Sequence, residues 1–201
     1  MEIYSQGLAF RKRTIGEGWA VIGPGTCTDT DLRIPPVTPE GEPITAIGQC
    51  AFYQKEHLTS VVIPEGVELI DVFAFMRCRF LTTVTLPKSL EQIYHSAFCQ
   101  CDSLTGIVLP RRLEFVGKQG FYGCTALTEL IIPEGVEGLG DETFKGCEGL
   151  RELRIPSTLR FMGSKVFEGC PRLSIRCEFS EAPADWEGDW NPDGIPVEWK
   201  A

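Results

Sequence analysis

Six leucines stand 23 residues apart in this chain, Leu58, Leu81, Leu104, Leu127, Leu150 and Leu173, and the interval never slips. Self-similarity at such a period limits the architecture to stacked units, because a segment this short cannot enclose a core by itself. Further columns keep the same interval. Ile63, Leu86, Leu109, Ile132 and Ile155 are each followed by a proline, Pro64, Pro87, Pro110, Pro133 and Pro156. Val67, Leu90, Leu113, Val136 and Leu159 align, then Ile70, Ile93, Val116, Leu139 and Met162, then Phe75, Phe98, Phe121, Phe144 and Phe167. The phenylalanine column reaches back to Phe52, with Ile44 and Ile47 in their registers, so an earlier coil precedes the regular ones and carries an insertion around Thr38 to Pro43.

Within a coil, Val61 and Ile63 alternate with Ser60 and Val62, the period-2 pattern of a strand. The proline that follows cannot donate to a ladder, so it ends pairing at the same place in every coil. One short strand per coil is expected, paired in parallel with its neighbours. The rest of each coil is too short for a long helix and predicts turns or 3-10 segments on the opposite side. Leu8, Phe10, Trp19, Val21 and Ile22 around Gly16-Glu17-Gly18 predict a terminal hairpin.

The coil resembles that of the bacterial leucine-rich-repeat family named after the surface antigen BspA, roughly LTSVTIPxSVTxIGxxAFxGC. Leu127-Thr-Glu-Leu-Ile-Ile-Pro-Glu-Gly-Val, Phe144-Lys-Gly-Cys147 and Phe167-Glu-Gly-Cys170 carry the likeness. It covers Leu32 to Cys177, and Gly-Thr-Cys-Thr-Asp-Thr-Asp at 25–31 and Trp-Asn-Pro-Asp at 190–193 match the family's usual ends. The resemblance implies an α/β, β-rich leucine-rich-repeat solenoid and a non-catalytic, protein-binding or adhesive role, since members are often surface adhesins that contact host matrix proteins. The expected organisation is one structural domain: an N-terminal cap over 1–31, about six coils over 32–177, and a Trp-rich C-terminal cap over 178–201.

Charge narrows the partners. With 28 acidic against 19 basic residues, the net charge of -9 opposes phosphate backbones and anionic lipid, so neither nucleic acid nor membrane insertion is expected. The first residues, Met1 to Phe10, lack the basic start and apolar stretch of a secretory signal. A location at the cell surface is expected if a leader precedes Met1, and a cytoplasmic scaffold or structural role otherwise. Nine cysteines, an odd number lying mostly in one register, read as free thiols and lean towards a reducing compartment. A stack sealed at both ends hides its core without a partner, so a monomer is expected.

No group of residues makes a catalytic constellation, and neither a cofactor nor a metal is expected. Cys78, Cys101, Cys124, Cys147 and Cys170 form a straight row of parallel side chains, which suits small buried hydrophobes better than a disulfide or a convergent metal site. Cys99 and Cys101 make a C-x-C pair with no second pair at zinc-site spacing. His57 and His95 occupy different coil positions, without the acidic partner and nucleophile of general-base chemistry. Asp189, Asn191, Asp193 and Gly194 match the start of a calcium loop, but Lys200 stands where a bidentate Glu is needed. Trp186, Trp190 and Trp199 read either as a cap over the core or as platforms for sugar rings. Nothing places Asp185 and Glu187 around a scissile bond.

The candidate binding site is the outer face of the strand ladder. One column runs Ser60, Thr83, Gly106, Glu129, Glu152 and its neighbour Val62, Thr85, Val108, Ile131, Arg154. The β-branched run in the second column reads either as good packing along a parallel ladder or as an apolar interaction stripe for a protein or a glycan.

Overall fold

The structure, a computed structural model, describes residues 3–200. The chain opens with an antiparallel hairpin, β1 (Ala9–Lys12) and β2 (Trp19–Gly23), and then alternates between two ladders. One ladder receives β3 (Asp31–Arg33), β5 (Ser60–Val62), β7 (Thr83–Thr85), β9 (Gly106–Val108) and β11 (Glu129–Ile131), all parallel. Beyond it lie β13 (Glu152–Ile155), β15 (Ser174–Cys177) and β16 (Val197–Trp199), also parallel. The other ladder continues from β2 through β4 (Ile44–Ile47), β6 (Leu69–Ile70), β8 (Gln92–Ile93), β10 (Phe115–Val116), β12 (Gly138–Leu139) and β14 (Phe161–Met162).

The result is a parallel-sheet solenoid of about 8 turns. It differs from the sequence expectation in one respect: each coil carries a second strand where turns or 3-10 segments alone were expected. Those strands are only two residues long, so they give no period-2 run to read. Their inward residues are the Ile70, Ile93, Val116, Leu139, Met162 column, fully buried. The insertion is a small bridged loop in which Val37 pairs with Pro43 and Thr38 N–H donates to Glu42 O. Its six residues, Thr38 to Pro43, account for the spacing of the paired Leu32 and Val61, which is 29 where Val61 and Val84 stand 23 apart.

The turns between ladders also bond coil to coil. The N–H groups of Phe73, Phe75 and Arg77 donate to the carbonyls of His95, Ala97 and Cys99 in the next coil, while those of Ala74, Met76 and Cys78 close onto carbonyls three residues back. That alternation puts Phe73 at φ 59° and Arg77 at φ 61°, and the same two slots recur in neighbouring coils. Inside, Phe52, Phe75, Phe98, Phe121, Phe144 and Phe167 form a stack with centroids 5.2–5.9 Å apart and planes within 7° of parallel. At that separation the rings are offset, the arrangement their quadrupoles favour.

The cysteine column has a definite job. Each thiol from Cys78 to Cys170 donates to the carbonyl of the phenylalanine 26 residues earlier, at 3.1–3.2 Å. A residue at this corner must be small, apolar and able to donate one weak hydrogen bond, and cysteine meets all three demands.

The Trp-bearing segment is itself a coil. Trp190 falls 23 residues after Phe167 and meets that ring edge-on at 6.1 Å, and Trp186 bridges to Met162 at the end of the second ladder. Trp186 and Trp190 are buried, with 6% and 9% of their surface exposed. The sugar-platform reading therefore fails for these two rings: their faces are spent on Phe167, Phe179 and each other.

Candidate functional site

The first ladder, with β13 beyond it, places every member of the expected strip on one outward face. Its inward partners Val61, Val84, Ile107, Leu130 and Leu153 are buried, so period 2 sends their neighbours outward. Ser60 and Val62 are half-buried; Thr83, Thr85, Val108, Glu129, Ile131, Glu152 and Arg154 are exposed. Ile131 is the direct register partner of Val108, and the two are 73% and 81% exposed. Beside them Glu129 faces Gly106, which has no side chain, so the apolar pair stands proud of its neighbour column.

The strip is longer than the strict period shows. Asp31 and Arg33 extend it at one end, in register with Ser60 and Val62, but the six-residue insertion displaces them from the columns. Arg176 and Glu198 extend it at the other, where Arg176 pairs with Arg154 only 22 residues earlier. Allowing one gap per coil in the self-comparison would have found both.

Charges are arranged differently along it. Asp31 accepts from Ser60 Oγ at 2.6 Å and Thr59 Oγ1 at 3.1 Å, which holds its carboxyl below the usual range. At the far end Glu178 is held low by Arg154 Nε at 2.7 Å and Lys200 Nζ at 3.2 Å. Arg176 bridges Glu152 and Glu198, each at 3.1 Å. These pairs neutralise one another and, screened by solvent, add little stability. Between them stands the apolar pair Val108 and Ile131.

The other candidates disperse. The C-x-C cysteines are both buried, and desolvation pushes the Cys99 thiol up to about 11. His95 packs edge-on against Phe73 at 5.4 Å, and His57 is exposed. In the calcium-like motif one side-chain oxygen of each residue is engaged by protein: Asp189 Oδ2 by Ser164 Oγ at 2.7 Å, Asn191 Oδ1 by Ile195 N–H at 2.9 Å, Asp193 Oδ2 by Gly169 N–H at 2.7 Å. Their partners, one hydroxyl and two backbone N–H groups, lie on three different stretches of the chain.

A coil built from two parallel ladders, a leucine corner and a Phe–Cys turn defines a leucine-rich-repeat solenoid. The chain belongs to the BspA type leucine-rich-repeat family, whose model matches residues 45–174 in 6 copies. It is similar to the leucine-rich-repeat protein of T. pallidum, with 28% identity, a TM-score of 0.81, and coverage of 87% of this chain and 81% of that one. A leucine-rich-repeat protein from Bacteroides ovatus is 29% identical with a TM-score of 0.76 over 88% of this chain, which spans 47% of that longer protein. The pneumococcal vaccine antigen PcpA, 18% identical over 90% of this chain and 44% of its own, shares the fold with a TM-score of 0.67. No curated protein matches the chain.

Proposed function

We propose that the chain is a non-catalytic recognition module that binds a protein across the first ladder's outer face, with Val108 and Ile131 as the anchor. The observation that carries this reading is that exposed pair. Two large β-branched side chains in direct register, surrounded by polar neighbours, are the apolar centre and polar rim from which interfaces are built. Membership of a repeat family whose folds commonly serve interaction supports it.

A surface role on a cell requires export. The column thiols do not argue against it: they are buried and hydrogen-bonded, so they stay reduced in either compartment. The partner class is a protein of the extracellular matrix, and the module acts as a monomer. An array of immobilised matrix proteins and glycans, probed with the purified chain and with Ile131→Asp, tests this. The wild-type chain is expected to bind a matrix protein and the variant to lose at least ten-fold. Equal binding by both would move the site off the strip, and silence on the array would favour the scaffold role.

A further inference from the structure

A second concavity, of about 500 Å³, lies on the other ladder where the N-terminal hairpin joins it. Its origin is a run of small residues. Arg11, Ala20, Ala46 and Leu69 are successive register partners on β1, β2, β4 and β6, all on the outward side. The next outward row holds Ile22, Gly48, Asp71 and Tyr94. Ala20, Ala46 and Gly48 leave a floor where later coils carry Leu69, Gln92 and Phe115. The walls are unlike each other. Arg11, Lys12 and Arg13 line the hairpin side, and Leu69 and Tyr94 line the opposite side, with Asp71 between them.

Three consecutive cations are unusual in a chain of net charge -9. Arg13 is fixed: Nη1 donates to Thr45 Oγ1 at 2.9 Å and to Glu17 O at 3.3 Å, which pins the hairpin tip over the ladder. Arg11 and Lys12 are exposed and, among the described residues, pair with no carboxylate. A trough crossing β1, β2, β4, β6 and β8 takes four steps at roughly 4.8 Å, about 19 Å, the length of about six extended residues. We infer that this trough binds an extended acidic peptide, a carboxylate on Arg11 with Lys12 adding positive charge at the rim, and an aliphatic or aromatic side chain against Leu69 and Tyr94. The site goes beyond the recognition strip, which lies on the other ladder. A peptide fits because the trough is long, open and two-sided, while charge complementarity selects acidic over neutral or basic segments.

The test is fluorescence anisotropy with the labelled hexapeptides EDEAFL and LFAEDE, which cover both orientations, and KRKAFL as the charge-reversed control. Saturable binding of one acidic peptide is expected, weakened at least ten-fold in R11E/K12E and several-fold in Leu69→Asp, and reduced by salt. The double variant K88Q/R172Q, which removes exposed cations elsewhere, is expected to bind as the wild type does. R11Q/K12Q serves if R11E/K12E alters the circular dichroism spectrum. Equal binding of KRKAFL, indifference to R11E/K12E, or an equal loss in K88Q/R172Q would overturn the proposal. So would binding of polygalacturonate in place of the peptides, or self-association of the chain abolished by R11E/K12E, either of which would assign the trough another occupant.

Discussion

The middle of the stack and its last coil solve one problem with different side chains. In the middle, Phe121 lies between Phe98 and Phe144, covered on both faces, and the Cys147 thiol donates to its carbonyl. In the last coil the phenylalanine slot holds Trp190, turned edge-on to Phe167, and the cysteine slot holds Asp193, whose carboxylate accepts the Gly169 N–H. A side chain with a neighbour on each side can be flat and identical to its neighbours. One with no further phenylalanine beyond it must be larger and rotated, and its polar partner can face water. The coil is therefore a rule about neighbours as much as a rule about residues.

The largest effect that would break this comparison is truncation of the two rings. Phe121→Ala removes a fully buried ring from between two others and is expected to cost about 3–5 kcal/mol, seen as one shifted urea transition for the whole chain. Trp190→Ala uncovers only one coil. It should lower the main transition less and add an early, local one, visible as lost amide-exchange protection after Glu178 while earlier coils stay protected. If the two variants unfold alike, the stack behaves as one cooperative block and the distinction between middle and end fails.

The cysteine slot gives a smaller contrast. Cys147→Ala leaves a void and removes the S–H donor, although the Phe121 carbonyl still faces the Cys124 N–H, so a loss of about 1–2 kcal/mol is expected. Asp193→Ala, at the equivalent slot but exposed, should cost only about 0.5 kcal/mol by the same urea measurement.

The buried thiols also set a pH response. Desolvation pushes Cys78 up to about 12 from 9.0. Below pH 9 both folded and unfolded thiols are protonated and nothing changes. Above it the unfolded chain releases protons that the folded chain keeps, so stability is expected to fall between about pH 9 and pH 12. Chemical denaturation across that range checks the sign, and Cys78→Ala should flatten the slope. At neutral pH a thiol reagent should label exposed Cys50 at once and the column only on unfolding.

Most of the first ladder could be read in the sequence because each strand there has three or more residues and a proline to end it. The second ladder could not, since Leu69–Ile70 or Gln92–Ile93 is too short to show alternation. The last coil was hidden by substitution: Trp190 and Asp193 keep the spacing of Phe and Cys but not their identity. Val108 and Ile131 stood out as a β-branched run, yet only the register showed them side by side and unmatched by charge. The trough was out of reach, because Arg11 to Arg13 come over Leu69 only through a hairpin and two parallel pairings that no local pattern encodes.

The smallest effect tests whether the regular coils are themselves optimal. The slot two residues after each core phenylalanine is left-handed throughout: Gln54, Arg77 and Gln100 hold φ of 57°, 61° and 57°, and later coils place Gly123, Gly146 and Gly169 there. A side chain in that conformation costs roughly 1–2 kcal/mol, while glycine loses roughly 0.5–1 kcal/mol through the greater freedom of the unfolded chain. Gln54→Gly should therefore stabilise the chain by about 0.5–1 kcal/mol, the difference of those two effects. Arg77→Gly should gain less, because Arg77 Nε donates to Gln100 Oε1 at 2.8 Å and that bond is lost. Thermal melts of the two variants decide the matter: a gain for Gln54→Gly larger than for Arg77→Gly supports the strain reading, and a loss for both would mean that the side chains lying along this corner hold the coils together more than their backbone strain pushes them apart.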